Sequence, residues 1–585
     1  MSEKHQLMLG NEAVARGLWE AGCAFVSSYP GTPSTEITEY AANYELYAEW
    51  APNEKVAAEA AIGASLAGAR SFSGMKHVGL NVAADPLFTA VYTGVNGGMV
   101  FAVADDPGMH SSQNEQDSRH YARAAKLPML LPADSAECLA FTKEAFSLSE
   151  QFDTPVLLGL STRISHSRSA VPLSEPTQAG LKPYQKDPSK YVMTPAAARG
   201  RHVLLEKRLD ALRAWAEETP LNRIEWGGRK IGVIASGITY QTAREALGDS
   251  VSYLKLGVVW PLAEKLFQTF AAGVDELYVI EELDGFIESH CRAMGLEVHG
   301  KELFSLLGEY TPAMIRKAVL KESEDRLENH IPASDLPVRP PVLCPGCPHR
   351  GLFYVLNKLK LTVTGDIGCY TLAAAPPLGA MDLCVCMGAS VSSLHGFITA
   401  RPEKAAQTVA VIGDSTFFHS GITGLINMVY NQSPGTVLIL DNAITGMTGH
   451  QQNPGTGLTL QNKSAPKVDI ETLCRGIGVN RVRLVDPHDL TVLEQILKEE
   501  LAELEPSVII ARRPCILLPG IKKEAAYGID QDACKNCRAC MRIGCPAIRT
   551  DGDGLSIDAS LCVGCGLCAR LCKFEAIRSE GGVRA

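Results

Sequence analysis

The chain has 585 residues, 46% hydrophobic and 21% charged, an ordinary globular balance with room for roughly three to five domains. A net charge of −10 and a pI near 5.8 argue against nucleic acid or an anionic membrane surface as partner. No apolar run approaches the ~20 residues of a membrane span, and Met1 to Gln6 carries no apolar signal segment.

Taken in chain order, Ser28-Tyr29-Pro30-Gly31-Thr32-Pro33-Ser34 reads as a proline-rich turn between a strand and a helix. Ala58 to Arg70 is a run of small residues that predicts a helix able to pack closely against another domain or subunit. Glu59 stands at the start of that run, either complementing the helix dipole or serving chemistry, and Glu54 is a rival five residues earlier. A strand over Met99 to Ala104 leads into a polar loop, Asp106 to His110 and Gln113 to Arg119. Arg119 can pair bidentately with a carboxylate, or it is a solvated surface residue. His166 to Ala198 is rich in Ser, Pro and Lys and reads as a linker, extended here over 166–228. Between Arg229 and Val319 lies a second α/β unit: strand Ile231 to Ala235, Gly237, a helix through Ala246, and strand Glu276 to Ile280. Glu322 to Pro341, acidic and then carrying Pro332, Pro337, Pro340 and Pro341, is a second linker.

After it come Cys344-Pro-Gly-Cys347-Pro-His349 and, further on, Cys369 and Cys515. By themselves these are compatible with a zinc site or with buried thiols. Thr408 to Ile412 predicts a buried strand, followed by Gly413-Asp414-Ser415, a helix through Leu425, Ile426 and Val429, and a strand Val437 to Leu440 closed by Asp441-Asn442. Such a crossover makes the strands parallel and brings Asp414 and Asn442 to one carboxyl edge, where open α/β sheets bind ligands. With the carbonyl of Ile444 they form a set of hard oxygen ligands suited to Mg²⁺ and a diphosphate, although a Gly-Asp pair after a strand is also a common structural turn.

Two cysteine blocks end the chain: Cys534, Cys537, Cys540 and Cys545, then Cys562, Cys565, Cys568 and Cys572. They repeat at 28 residues, from Cys534 to Cys562, with Ile529-Asp530 and Ile557-Asp558 at matching offsets. Three cysteines at C-x-x-C-x-x-C spacing suit a [4Fe-4S] cluster, while zinc has no use for the third. Thiolates of this kind need a reducing compartment, so the expected localisation is cytoplasmic. Cys23, Cys138, Cys291, Cys384, Cys386 and Cys474 are expected only to pack.

The two blocks resemble a two-cluster bacterial ferredoxin, in which the fourth cysteine of each block serves the other's cluster. That resemblance assigns Cys534, Cys537, Cys540 and Cys572 to one [4Fe-4S], and Cys562, Cys565, Cys568 and Cys545 to the other. The chain departs from the pattern in the four residues between Cys540 and Cys545, where three are usual, and in Lys573 after Cys572, where proline is common. Gly413 to Asn442 resembles the thiamine diphosphate motif, with Ser415 in place of its second glycine.

Together with the Tyr29 to Ser34 loop, these segments make nearly the whole chain similar to the 2-oxoacid:ferredoxin oxidoreductase family, in its indolepyruvate branch. The resemblance implies a multidomain α/β fold with a C-terminal α+β ferredoxin domain. Its expected divisions are a pyrimidine-binding thiamine diphosphate domain (1–165), the linker 166–228, a transketolase C-terminal-like domain (229–321), the linker 322–341, a diphosphate-binding domain (342–520) and a ferredoxin-like domain (521–585). It implies thiamine diphosphate and Mg²⁺ held by Gly413, Asp414, Ser415, Asn442, Ile444 and His349, with Glu59 on the cofactor's aminopyrimidine. Thr32 falls to the substrate carboxylate, for which Arg119 is a further candidate partner by its own chemistry, and a third [4Fe-4S] falls to Cys344, Cys347, Cys369 and Cys515. The implied reaction is oxidative decarboxylation of arylpyruvates with coenzyme A to aryl-acetyl-CoA and CO₂, electrons passing to ferredoxin. The implied assembly is a dimer of heterodimers with a smaller beta subunit that carries the family's gamma-type domain. Alternatives are a pyruvate or 2-oxoglutarate enzyme of the same family, a non-oxidative thiamine-dependent decarboxylase, and an electron-transfer subunit with a vestigial thiamine fold.

Overall fold

The computed structural model describes residues 5–177, 179–321, 336, 339–552 and 554–579. The chain forms two compact units, 1–330 and 331–585. Most of the expected linker 322–341, including Pro332 and Pro337, lies outside the described residues.

In the first unit a seven-stranded sheet runs in the order Val258–Trp260, Met129–Leu130, Val156–Ser161, Met99–Asp105, Ser71–Lys76, Phe25–Ser28, Tyr47–Trp50. All neighbours are parallel except Val258–Trp260, which runs antiparallel to Met129–Leu130. The central strand Met99–Asp105 is buried along its whole length, as a parallel strand covered on both faces must be. A second sheet, in the order Glu276–Ile280, Ile231–Ser236, Ser252–Leu256, Arg223–Glu225, takes in the strands expected of the second α/β segment. One apolar cluster joins residues of both sheets, among them Phe101, Leu157, Ile234 and Leu254.

The expected linker 166–228 is corrected here. Arg168–Pro172 pairs with the N-terminal strand His5–Leu9, and Pro195–Glu218 is a 24-residue helix capped by Thr194, whose hydroxyl accepts from the Ala197 N–H. Leu205, Leu209, Leu212 and Ala216 are buried at helical spacing, so the segment covers core instead of spanning solvent.

The second unit is built on a five-stranded, all-parallel sheet in the order Thr362–Thr364, Thr408–Gly413, Thr436–Asp441, Ser507–Arg512, Arg481–Val485. Separate apolar clusters cover its two faces, one around Leu352, Phe353 and Leu440, the other around Leu394, Phe417 and Ile439. Residues 527–579 add two small hairpin-like sheets, Tyr527–Ile529 with Ile577–Ser579 and Ile548–Asp551 with Gly554–Ile557. Their core is a small cluster of Tyr527, Ile543, Ile548, Leu555, Leu567 and Ile577 with the cysteines. So small an apolar cluster is the usual sign of a segment organised by metal binding.

Candidate cofactor and electron-transfer site

Strands Thr408–Gly413 and Thr436–Asp441 pair with Gly413 opposite Leu440, so Asp414 and Asn442 leave the sheet at the same edge. Gly413 is required there: a Cβ would stand 2.8 Å from Tyr370 Cε1, and the Gly413 N–H donates to the Tyr370 hydroxyl at 3.0 Å. Asp414 is buried and accepts from the Ser415 N–H at 2.8 Å, from Asn453 Nδ2 at 3.4 Å and from the Ala443 N–H. Burial and then the neighbouring Asp441 push its carboxyl up to about 7. A carboxylate this crowded is a natural ligand for a divalent cation, which removes the cost of its charge.

Asn442 is also buried; its side-chain oxygen accepts from the Ile444 N–H at 3.3 Å, and its Nδ2 lies 3.5 Å from His349 Nε2. Burial lowers His349 to about 4, so the ring is neutral. The Thr445 hydroxyl donates to Ser415 Oγ at 2.9 Å, tying the two sides of the motif together. Thus Gly413, Asp414, Ser415, Asn442, Ile444 and His349 all converge on one edge. Asn453 joins them from 39 residues away, a contact with no sequence pattern to announce it.

In the first unit the small-residue helix starts at Glu54, not near Glu59: it spans Glu54–Leu66, with Asn53 accepting from the Val56 N–H as N-cap. Glu59 is therefore mid-helix, 46% exposed and ion-paired to Lys55 one turn back. Glu54 is buried, its carboxylate lying against Gly79, where a Cβ would fall 2.6 Å from Oε1. Of the two, Glu54 is the buried carboxylate.

Thr32 is half-buried in the loop after strand Phe25–Ser28, its carbonyl accepting from Ser111 Oγ at 3.3 Å. Lys76, which the sequence reading passed over, ends strand Ser71–Lys76 with its stem against Gly31; its ammonium donates to the Ser111 carbonyl at 3.0 Å. Burial lowers its pKa, opposed by Asp106 and Glu54.

Arg119 is not a solvated surface residue. It is 5% exposed and donates to Asp117 Oδ1 at 2.8 Å, to Glu281 Oε2 at 2.5 Å and to the carbonyls of Glu282 and Asp284 at 3.1 Å. Although burial opposes it, these two carboxylates hold its pKa above the ordinary arginine value. The residue clasps the loop after Met99–Asp105 to the strand Glu276–Ile280.

The cysteines fall into three sets. Burial raises the Cys540 thiol, and Cys572, Cys537 and Cys534 raise it further. Burial also raises Cys568, followed by Cys565, Cys545 and Cys562. The thiols acting on Cys540 thus include Cys572 of the second block, and those acting on Cys568 include Cys545 of the first. In the third set, Cys369 is pushed up to about 11 by burial, then by Cys515 and Cys344, and Cys347 to about 12 by burial, with Cys344 and Cys369 adding to it. Four mutually crowding thiols fit a metal cluster, since a bound metal releases their protons and balances the thiolate charge. The third set adjoins the thiamine-type motif: the Cys515 N–H donates to the Asn442 carbonyl at 2.9 Å, and Gly446 approaches Cys369 Sγ. Cys23, Cys138, Cys291 and Cys474 are buried as expected, whereas Cys384 and Cys386 are exposed and do not pack.

Comparison with known proteins agrees with this layout. Residues 16–206 match the model for pyruvate flavodoxin/ferredoxin oxidoreductase, thiamine diphosphate-binding. Residues 366–511 match the C-terminal TPP-binding domain of thiamine pyrophosphate enzymes, and 555–578 a 4Fe-4S binding domain. The chain is 40% identical to the indolepyruvate oxidoreductase subunit IorA of Archaeoglobus fulgidus, over 98% of its own length and 97% of the relative's. Identity to IorA of Methanothermobacter thermautotrophicus is also 40%, with the same coverage. The 2-oxoglutarate synthase subunit KorA of A. fulgidus is 26% identical over 50% of this chain and 94% of its own. With full-length identity at this level, and thiamine and iron–sulfur domains where the residues converge, the chain belongs to the indolepyruvate oxidoreductase subunit IorA family, thiamine-diphosphate-dependent 2-oxoacid:ferredoxin oxidoreductases.

Proposed function

We propose that the chain oxidatively decarboxylates arylpyruvates, indolepyruvate and phenylpyruvate among them, to aryl-acetyl-CoA and CO₂, with ferredoxin as electron acceptor. The observation that carries this reading is the 40% identity to IorA proteins along essentially the whole chain. Bound thiamine diphosphate supplies the nucleophilic carbon and the electron sink that loss of CO₂ requires. Asp414, Asn442 and the Ile444 carbonyl are the ligands for Mg²⁺ and through it for the diphosphate, with Gly413, Ser415 and His349 beside them. Glu54, in the role first given to Glu59, holds and passes the proton that the cofactor's aminopyrimidine needs. Thr32 and Lys76 receive the substrate carboxylate. The three cysteine sets hold three [4Fe-4S] clusters, which accept electrons singly where decarboxylation releases two.

A smaller beta subunit with the gamma-type domain completes the enzyme, as a dimer of heterodimers in the cytoplasm. Free cysteines throughout are in keeping with a reducing compartment, and among the described residues no helix is long and apolar enough to cross a membrane. The test is anaerobic viologen reduction by the chain with its small subunit, using indolepyruvate, phenylpyruvate, pyruvate and 2-oxoglutarate, each with and without coenzyme A. Coenzyme A-dependent reduction confined to the aryl substrates is the expected result. Reduction with pyruvate or 2-oxoglutarate instead would overturn the aryl preference, and aldehyde without dye reduction would overturn the oxidative chemistry.

A further inference from the structure

Arg350 is a buried cation that the chemistry above does not use. It is 2% exposed, on the first turn of helix His349–Leu359, immediately after Cys347-Pro348-His349. Its guanidinium donates to four backbone carbonyls: Leu343, Cys344 at 2.9 Å, Ile543 at 3.1 Å and Gly544 at 2.5 Å. The first two belong to the Cys344–Cys347 loop, the other two to the loop between Cys540 and Cys545. That second loop is the one that holds an extra residue relative to the usual ferredoxin spacing, and Gly544, at φ +67°, turns it toward Arg350.

Among the described residues no carboxylate pairs with Arg350. The groups facing it that turn negative as thiolate ligands are Cys545, Cys347, Cys344 and Cys565. The Cys344–Cys347 loop also touches the second cysteine block directly, since a Cβ at Gly346 would stand 2.3 Å from Val563 Cγ2 and 3.6 Å from the Cβ of Cys565. A buried charge needs a counter-charge. Here the groups able to supply it are two sets of cluster ligands, one on either side.

We propose that Arg350 sets the reduction potentials of the two clusters it separates, those of Cys344, Cys347, Cys369 and Cys515 and of Cys545, Cys562, Cys565 and Cys568. This rests on the cluster assignment proposed above. Each reduction adds one electron, and so one negative charge, to a four-thiolate cluster, with no bond made or broken. A fixed cation between the two favours the reduced state of both, so electrons leaving the thiamine side meet two acceptors of raised potential. None of Cys534, Cys537, Cys540 and Cys572 is among the thiols that act most strongly on Arg350. Arg350 is a positioning residue, acting on the clusters without ligating iron.

The test is anaerobic redox titration of the holoenzyme, followed by electron paramagnetic resonance, for wild type and for Arg350→Met, Arg350→Gln and Arg350→Lys. In the neutral variants two midpoints are expected to fall by a factor of about ten in the reduction equilibrium, 59 mV for a one-electron couple, while a third stays in place. Arg350→Lys should keep most of the wild-type values, a rescue that a purely structural role would not produce. Unmoved midpoints, or an equal shift in all three, overturn the proposal. It also falls if both neutral variants lose iron, for then the residue only holds the loops. If the wild type carries only two clusters the third-cluster assignment is what fails, and this inference then requires one midpoint of the two to move.

Discussion

At the scale of single residues, the most consequential difference between reading the sequence and seeing the fold is a shift of five positions, from Glu59 to Glu54. A small-residue helix with a carboxylate near its start fits either register. Only the cap at Asn53 and the fit of Glu54 over Gly79 decide between them. Glu54→Gln should lower substrate-driven viologen reduction by about 10²–10⁴-fold, the usual weight of a general acid–base group. Glu59→Gln, losing only an exposed pair with Lys55, should stay within about twofold. Comparable losses in the two variants, in the same assay, would contradict the reassignment. Arg119 makes the same point in reverse: its partners Asp117 and Glu281 are 2 and 162 residues away, and nothing local predicts the second.

Among the elements, the first unit depends on polar ties between helices and strand ends that no periodicity reveals. Glu150, near the end of helix Ser135–Phe152, accepts from Arg70 Nε and Nη2 at 3.0 Å and from the Gly98 N–H at 3.1 Å. Burial would raise this carboxyl, but Arg70, the Gly98 N–H and Lys182 outweigh it and hold the pKa at about 2, below the ordinary 4.5. A depressed carboxylate pKa contributes stability that is complete above pH 4.5 and lost as pH falls toward 2. Glu150→Gln should therefore destabilise the chain by about 1–3 kcal/mol at neutral pH, the usual worth of hydrogen bonds to a charged group. The difference in Tm between variant and wild type should hold from pH 8 to pH 5 and narrow below pH 4.5. A gap that widened on acidification would show that Glu150 is not the charged partner of Arg70. The helix Pro195–Glu218 was misread as linker because its buried leucines are spaced among arginines, lysines and glutamates, so that composition masked period.

For the whole molecule, metal content tests the arrangement of cysteines. Three filled [4Fe-4S] sets give about twelve iron atoms per chain after anaerobic purification, and Cys369→Ser should lower this to about eight. Eight in both wild type and variant would remove the third cluster. Much of this organisation is legible in the primary structure, because cysteine spacing, the Gly-Asp-Ser to Asn442 interval and the alternation of strands with helices are local patterns with few physical solutions. The sequence by itself determined the two repeating cysteine blocks, the parallel strands that bring Asp414 and Asn442 to one edge, and the chain-long family likeness. The tertiary structure alone decided which glutamate is buried, that Arg119 is a structural clasp, that Asn453 supports Asp414, and that Arg350 stands between two sets of thiols. These last depend on contacts between residues far apart in the chain, and such contacts are set by packing, which leaves no fixed spacing to read.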